Sequence, residues 1–214
     1  MNKLRILFAS AILLVCGNIY AQDSEFYSEI KSFMTDYRAD YDQIVKAYFE
    51  NQDLSLDDYT LLYYGYTFTD SYKPDYASNK ADSLIELKKY AEAYEVLKQE
   101  HKSDPTSLQT LFDLMGMAWV LEKSSEGQVF QTRYIKLMTA IIQACGDGSS
   151  KDNAIKVNRV TDEYQLLSTY FKAASVVKKE FTEDGIDKVT IKDSEGIVKD
   201  VYFDFSRYLQ LTGK

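Results

Sequence analysis

The sequence predicts an α+β protein, mainly α: a tetratricopeptide-like helical array followed by a small C-terminal antiparallel β-sheet. Three observations carry this. Apolar residues recur at helical spacing from Ser24 to Ala144, a Gly- and Ser-rich junction (GDGSSKDN, Gly146 to Asn153) interrupts them, and the period beyond it turns to alternation. The organisation expected is residues 1–21 as a cleaved leader, 22–145 as the helical region and 146–214 as a sheet region packed on the helices.

The leader reading rests on charge and length. MNKLR carries Lys3 and Arg5, the apolar run Ile6 to Cys16 follows, and GNIYA precedes a polar QD. A basic start, a short apolar centre and a small residue at the end make a secretory signal peptide, with cleavage after Ala21. Eleven apolar-run residues fall short of the roughly 20 needed to span a bilayer. Lipid attachment at Cys16 is disfavoured because Val15 stands where a small residue is needed. The chain is expected to be exported, to a periplasmic or extracellular location, with no transmembrane segment left after cleavage.

From Phe26 the residues Ile30, Phe33, Tyr37, Tyr41, Ile44 and Tyr48 keep steps of three and four, one face of a helix or of two helices broken near Thr35–Asp36. The next helix announces its start: Ser55 and Asp58 form a capping box, and Leu54 and Tyr59 a hydrophobic staple. Tyr59 to Tyr76 then holds six tyrosines and Phe68 in eighteen residues. Tyr59, Leu62, Tyr63 and Tyr66 share one face while Leu61, Tyr64 and Phe68 occupy another, so this helix is expected to be buried between neighbours. Only the late tyrosines, Tyr72 and Tyr76, are expected at the surface, where an aromatic ring can stack on a sugar or a partner.

Asp75 to His101 reads as a broken helix pair that stops before Pro105. Ala93, Leu97 and Pro105 match the small, large and helix-ending positions of a tetratricopeptide repeat, and Leu111-x2-Leu114 offers the start of the next. In Thr106 to Lys123, Leu108, Leu111, Phe112, Met115 and Trp119 are expected on the inner side, and Val129 to Ala144 forms a last helix. Past the junction, Ile155 and Val157 suggest a strand and Tyr164, Leu166 and Tyr170 a second. Ile186–Asp193 and Ile197–Phe205 flank Ser194–Glu195–Gly196 as a hairpin. Phe171 to Thr182 is left unassigned.

The formal net charge is −8, and −10 once the leader's two cations are removed. Such a chain repels a phosphate backbone, which argues against nucleic acid as a partner. Cys145 alone remains after cleavage, so stability has to come from packing rather than a disulfide within the chain.

Several of these elements occur in one order: Tyr59-Thr-Leu-Leu-Tyr-Tyr-Gly-Tyr-Thr-Phe68, Tyr72 with Pro74, the helix pair ending at Pro105, and CGDGSSKDNAIKV. Asp162-Glu163-Tyr164 and Val201-Tyr-Phe-Asp-Phe205 complete the series. Together they resemble the secreted bacterial family known as domain of unknown function 4919. The resemblance implies an exported protein with tetratricopeptide-like helices and a C-terminal sheet. It carries over no catalytic or binding residue.

Candidate chemistry is sparse. His101 is the single histidine, so any triad or two-histidine metal site would have to run through it. In QEHKSDP it reads as an exposed cation at a helix C-terminus. Cys145 has no base near it in sequence and reads as a small apolar thiol. Of the carboxylate pairs, Asp57–Asp58 is explained by the helix start and Glu183–Asp184–Gly185 by a turn. Asp162–Glu163, read at the start of a strand, is the pair retained as a candidate. No phosphate loop, G-x-S-x-G elbow or H-E-x-x-H motif is present. The surface candidates are therefore Tyr72, Tyr76, Asp162 and Glu163, with no cofactor or metal expected. The expected function is a non-catalytic interaction module whose partner is another envelope or secreted protein. The alternative is a periplasmic glycan-binding protein or hydrolase using the acids with exposed tyrosines.

Overall fold

The computed structural model describes residues 22–74 and 79–213. The expected leader and the candidate Tyr76 lie outside the described residues. Helices α1 (Gln22–Asp36) and α2 (Arg38–Phe49) are parted at Tyr37, close to the expected break, and bury Phe26, Ile30, Phe33, Tyr41, Ile44 and Tyr48. Asn51 closes α2 in the left-handed region, with φ 56°, a conformation Asn tolerates better than most residues.

Helix α3 (Leu56–Tyr66) opens with the expected capping box. Asp58 N–H donates to Ser55 Oγ at 3.1 Å, and Ser55 N–H donates to Asp58 Oδ2 at 3.1 Å. Every residue from Tyr59 to Tyr66 is buried, because α1, α2 and α7 all pack against this helix. The tyrosine run is therefore core on both of its faces. Helices α4 (Asn79–Glu86), α5 (Tyr90–Ser103), α6 (Leu108–Val120) and α7 (Ser124–Ala144) each pack on the next. Ala93 and Leu97 are buried on α5, where a small residue lets two helices approach.

The inner stripe of α6 is Leu108, Leu111, Leu114 and Ala118. Phe112 and Trp119, expected inside, are 42% and 44% exposed. Both still pack against buried residues of α7: the Phe112 and Tyr134 rings are 5.9 Å apart, and a Cβ on Gly127 would come within 3.2 Å of Trp119.

The Gly146 to Asn153 junction is a folded tie. Gly148 N–H donates to the Asn153 carbonyl at 2.7 Å, and Tyr202 N–H donates to the Gly148 carbonyl at 3.0 Å. Gly146, at φ +89°, lies so close to the Asn153 carbonyl that a side chain would collide with it. Strand β1 (Ile155–Lys156) follows. The second strand expected around Tyr164 to Tyr170 is instead helix α8 (Val160–Gln165) continued by a π-turn, Leu166–Tyr170. Adjacent Leu166 and Leu167 are both buried, which a strand with one buried face cannot do.

The unassigned stretch forms β2 (Ala173–Phe181), which pairs with β3 (Ile186–Asp193); β3 pairs in turn with β4 (Val198–Asp204). The order is β1-β4-β3-β2, antiparallel except for β1 on β4, so the sheet is mixed where a purely antiparallel one was expected. The β3–β4 turn closes at Gly196, φ +86°, with Asp193 Oδ1 accepting from Glu195 N–H and Ile197 N–H. Val201, Phe203 and Phe205 face inward as expected. Ile197 does not: it belongs to the turn and is exposed. Helix α9 (Ser206–Thr212) ends the described chain. Helices and sheet share one continuous apolar core, from Phe26 to Tyr208.

Candidate functional site

Asp162 and Glu163 occupy the first turn of α8, where the helix dipole favours negative charge, and both are 0% exposed. They diverge into separate networks. Asp162 Oδ2 accepts from the Tyr63 hydroxyl at 2.7 Å and lies 3.8 Å from Arg159 Nη1. The same Tyr63 hydroxyl accepts from Asn158 N–H at 2.8 Å, and Asn158 Nδ2 donates to the Tyr63 carbonyl at 2.9 Å. Arg159 is held by Asp104 Oδ2 and by Thr106 Oγ1. Burial pushes the Asp162 carboxyl up to about 6, opposed by Arg159, the Tyr63 hydroxyl and the Leu108 backbone amide.

Tyr72, expected as open surface, is a wall of this network. Its hydroxyl donates to the Asn158 carbonyl, and the Arg159 guanidinium lies 5.0 Å from its ring centre. The structure thus brings Tyr72 and Asp162 together, both around Arg159.

Glu163 faces the sheet. Its two oxygens accept from Lys179 Nζ at 2.8 and 3.1 Å, and the same Nζ lies 2.9 Å from Asp187 Oδ2. Two buried carboxylates around one lysine leave an excess negative charge. Burial, and after it the Asp187 charge, raise Glu163 to about 7 against the pull of Lys179. The Lys179 ammonium is raised to about 12 by hydrogen bonds and charge from both acids, which outweigh its own desolvation.

A carboxyl titrating near neutrality is suited to general acid work only where a substrate can reach it. Neither acid has an exposed atom, and each is spent on partners from other elements: α3 for Asp162, β2 for Glu163. Of the second cluster only Lys179 reaches solvent, lying over the Tyr164 ring at 5.1 Å. These groups tie the sheet region to the helices.

His101 is not the exposed capping residue expected; it is 3% exposed. The last turn of α5 faces inward, and Tyr48, Phe49 and Phe130 surround the imidazole. Nε2 lies 3.3 Å from Arg133 Nη1 and 3.2 Å from the Tyr48 hydroxyl. A guanidinium can only donate, so Nε2 accepts and the proton sits on Nδ1. Burial, helped by the Arg133 charge, lowers the imidazole to about 3 and keeps it neutral. Arg133 itself stacks 4.2 Å over Tyr48 and donates to the Tyr48 carbonyl and Asn51 Oδ1. Cys145 is half-buried and forms no disulfide among the described residues. Among the described residues, no three His, Cys, Asp or Glu side chains could together hold a metal ion, and no helix is long and apolar enough to cross a membrane.

The accessible features lie elsewhere. Strand β2 is the edge of the sheet, and every residue after Ala173 is exposed, including Val177 at 60% and Phe181 at 55%. Val177 falls in a bulge between the Val176–Ile191 and Lys178–Thr190 pairs. Two open clefts take residues from the chain leaving α3. One, of about 650 Å³, is lined by mixed charges including Asp70, Lys73, Lys102 and Asp104. The other, of about 690 Å³, lies between α1 and α9. Sequence reasoning missed Arg159, Lys179 and Asp187, the partners of the candidate acids. Arg159, three residues before Asp162, was the one partner visible locally.

A sequence model of the family described as Domain of unknown function (DUF4919) matches residues 28–214. No curated protein and no solved structure matches the chain.

Proposed function

We propose that this chain, which belongs to the family described as domain of unknown function 4919, is an exported, non-catalytic module that binds another envelope or secreted protein. The observation that carries the reading is the contrast between its acids and its edge strand. Asp162 and Glu163 are enclosed and consumed by structural partners, whereas β2 offers an unpaired strand edge with Val176, Val177 and Phe181 exposed along it. An extended segment of a partner can add to such an edge through backbone hydrogen bonds, with side-chain contacts giving specificity. The bulges and lysines of β2 are features that discourage indiscriminate pairing, so a partner has to fit them. Export rests on the charge and length pattern of residues 1–21.

The competing reading, a glycan hydrolase using Asp162 and Glu163, needs both acids within reach of a substrate. The experiment is a hydrolysis assay of the mature chain on envelope glycans, alongside Asp162→Asn and Glu163→Gln. The proposal expects no turnover from the parent chain or from either variant. Turnover that either substitution abolishes while the fold survives would overturn it.

A further inference from the structure

The cleft between α1 and α9 has a lining at odds with the rest of this acidic chain. Tyr27, Ser28 and Lys31 from α1 face Phe68, Ser206, Arg207 and Gln210, and no carboxylate is among them. The formal net charge of the chain is −8, yet neither Lys31 nor Arg207 has an ion-pair partner among the described residues. Arg207 is half-buried, with its guanidinium 4.0 Å over the Phe68 ring and 5.9 Å from that of Tyr27. Three of its N–H groups are committed: Nε to Thr67 Oγ1 at 3.3 Å, Nη2 to the Thr67 carbonyl at 3.1 Å, and Nη1 to Gln210 Oε1 at 2.7 Å. Because a guanidinium carries five N–H donors, one remains on each terminal nitrogen.

The other cleft groups are also donors. Lys31 presents an ammonium, Gln210 keeps its amide NH₂ while its oxygen is taken by Arg207, and Ser28 and Ser206 add hydroxyls. The buried Tyr27 hydroxyl has no hydrogen-bond partner among the described residues. A cleft rich in donors and holding two unpaired cations selects an oxyanion. The Tyr27 and Phe68 rings and a volume of about 690 Å³ suit an anion with an organic body rather than a bare ion. We propose that this cleft binds an organic carboxylate, the carboxyl group held by Lys31 and the free N–H groups of Arg207 and the body lying against Tyr27 and Phe68. This is independent of the β2 reading.

The test is an NMR titration of the mature chain with phenylacetate and glucuronate, which separate an aryl acid from a sugar acid. Phenylacetamide, glucose and inorganic phosphate serve as controls. The expected result is saturable binding of at least one carboxylate with shifts at Lys31, Phe68 and Gln210, its neutral counterpart binding about tenfold or more weakly, the weight of one charge-assisted hydrogen bond. Lys31→Glu reverses an exposed charge, leaves the thermal midpoint unchanged and should abolish the shifts. Arg207→Gln should do the same, though it also loosens α9 from Thr67. The proposal is overturned if neither carboxylate binds, if the neutral analogues bind equally well, or if Lys31→Glu binds as the parent does. Phosphate binding as tightly as the carboxylates, an adventitious ion only, would overturn it too.

Discussion

The Tyr63 hydroxyl donates to the Asp162 carboxylate at 2.7 Å across 99 residues of chain, joining the middle of the tyrosine-rich helix to the first turn of α8. The same oxygen receives Asn158 N–H, so one phenol satisfies a buried donor and a buried acceptor together.

Tyr63→Phe keeps the ring's shape and removes both bonds. The cost expected is about 1–3 kcal/mol, the penalty of leaving buried polar groups unpaired. Urea denaturation with an unchanged m-value checks it.

Gly65→Ala sets two effects against each other. Replacing a helical glycine gains up to about 1 kcal/mol in propensity. The new Cβ would meet Met34 Sδ and Tyr41 Cε2, each at 2.9 Å. Met34 can yield, but the buried Tyr41 ring is pinned by its hydroxyl on the Leu62 carbonyl at 3.3 Å. Overpacking of about 1–3 kcal/mol wins, so the variant should be less stable by roughly 1 kcal/mol, a lower urea midpoint.

These tests also mark what the sequence could reveal. Ser55 to Asp58 and Ser194 to Gly196 are local patterns whose partners lie within four residues, and both formed as expected. The tyrosine helix was legible as core because its two apolar faces leave no solvent face. His101 misled because its sequence neighbours are polar while its environment comes from Tyr48 and Arg133, 53 and 32 residues away. Asp162 and Glu163 were legible as unusual. That they are structural was not, since Tyr63 and Lys179 reach them only through the tertiary fold. Tyr164 and Tyr170 hinted at a strand because spacings of two and four fit either period over so few residues.

The pH dependence of stability follows from three buried groups. Folding raises Asp162 from 3.8 to about 6 and Glu163 from 4.5 to about 7, so the folded state binds the extra protons. Their contribution is full at low pH and is lost as pH rises through the folded values. His101, lowered from 6.5 to about 3, works in the opposite direction and adds stability as pH rises between those values. Between pH 4.5 and 6 two falling contributions meet one rising one, so stability should decline. Glu163→Gln removes one decline and should flatten the profile there. Thermal midpoints of both proteins across this range check it, and identical slopes would contradict it.

His101 gives a direct readout because it is the single histidine. Its ring nitrogens should show no titration between pH 5 and 8 by ¹H–¹⁵N correlation, with the proton on Nδ1. A midpoint near the ordinary 6.5 would contradict the buried, Arg133-facing geometry.

The central claim, that the chain acts by docking along β2, is tested most directly by capturing envelope proteins on the immobilised mature chain and on its Val177→Glu variant. Val177 is exposed in a bulge, so the substitution alters the edge and spares the core. The account predicts a defined partner held by the parent chain, lost with Val177→Glu and retained by Lys31→Glu. A partner held equally by the parent and by Val177→Glu would contradict it.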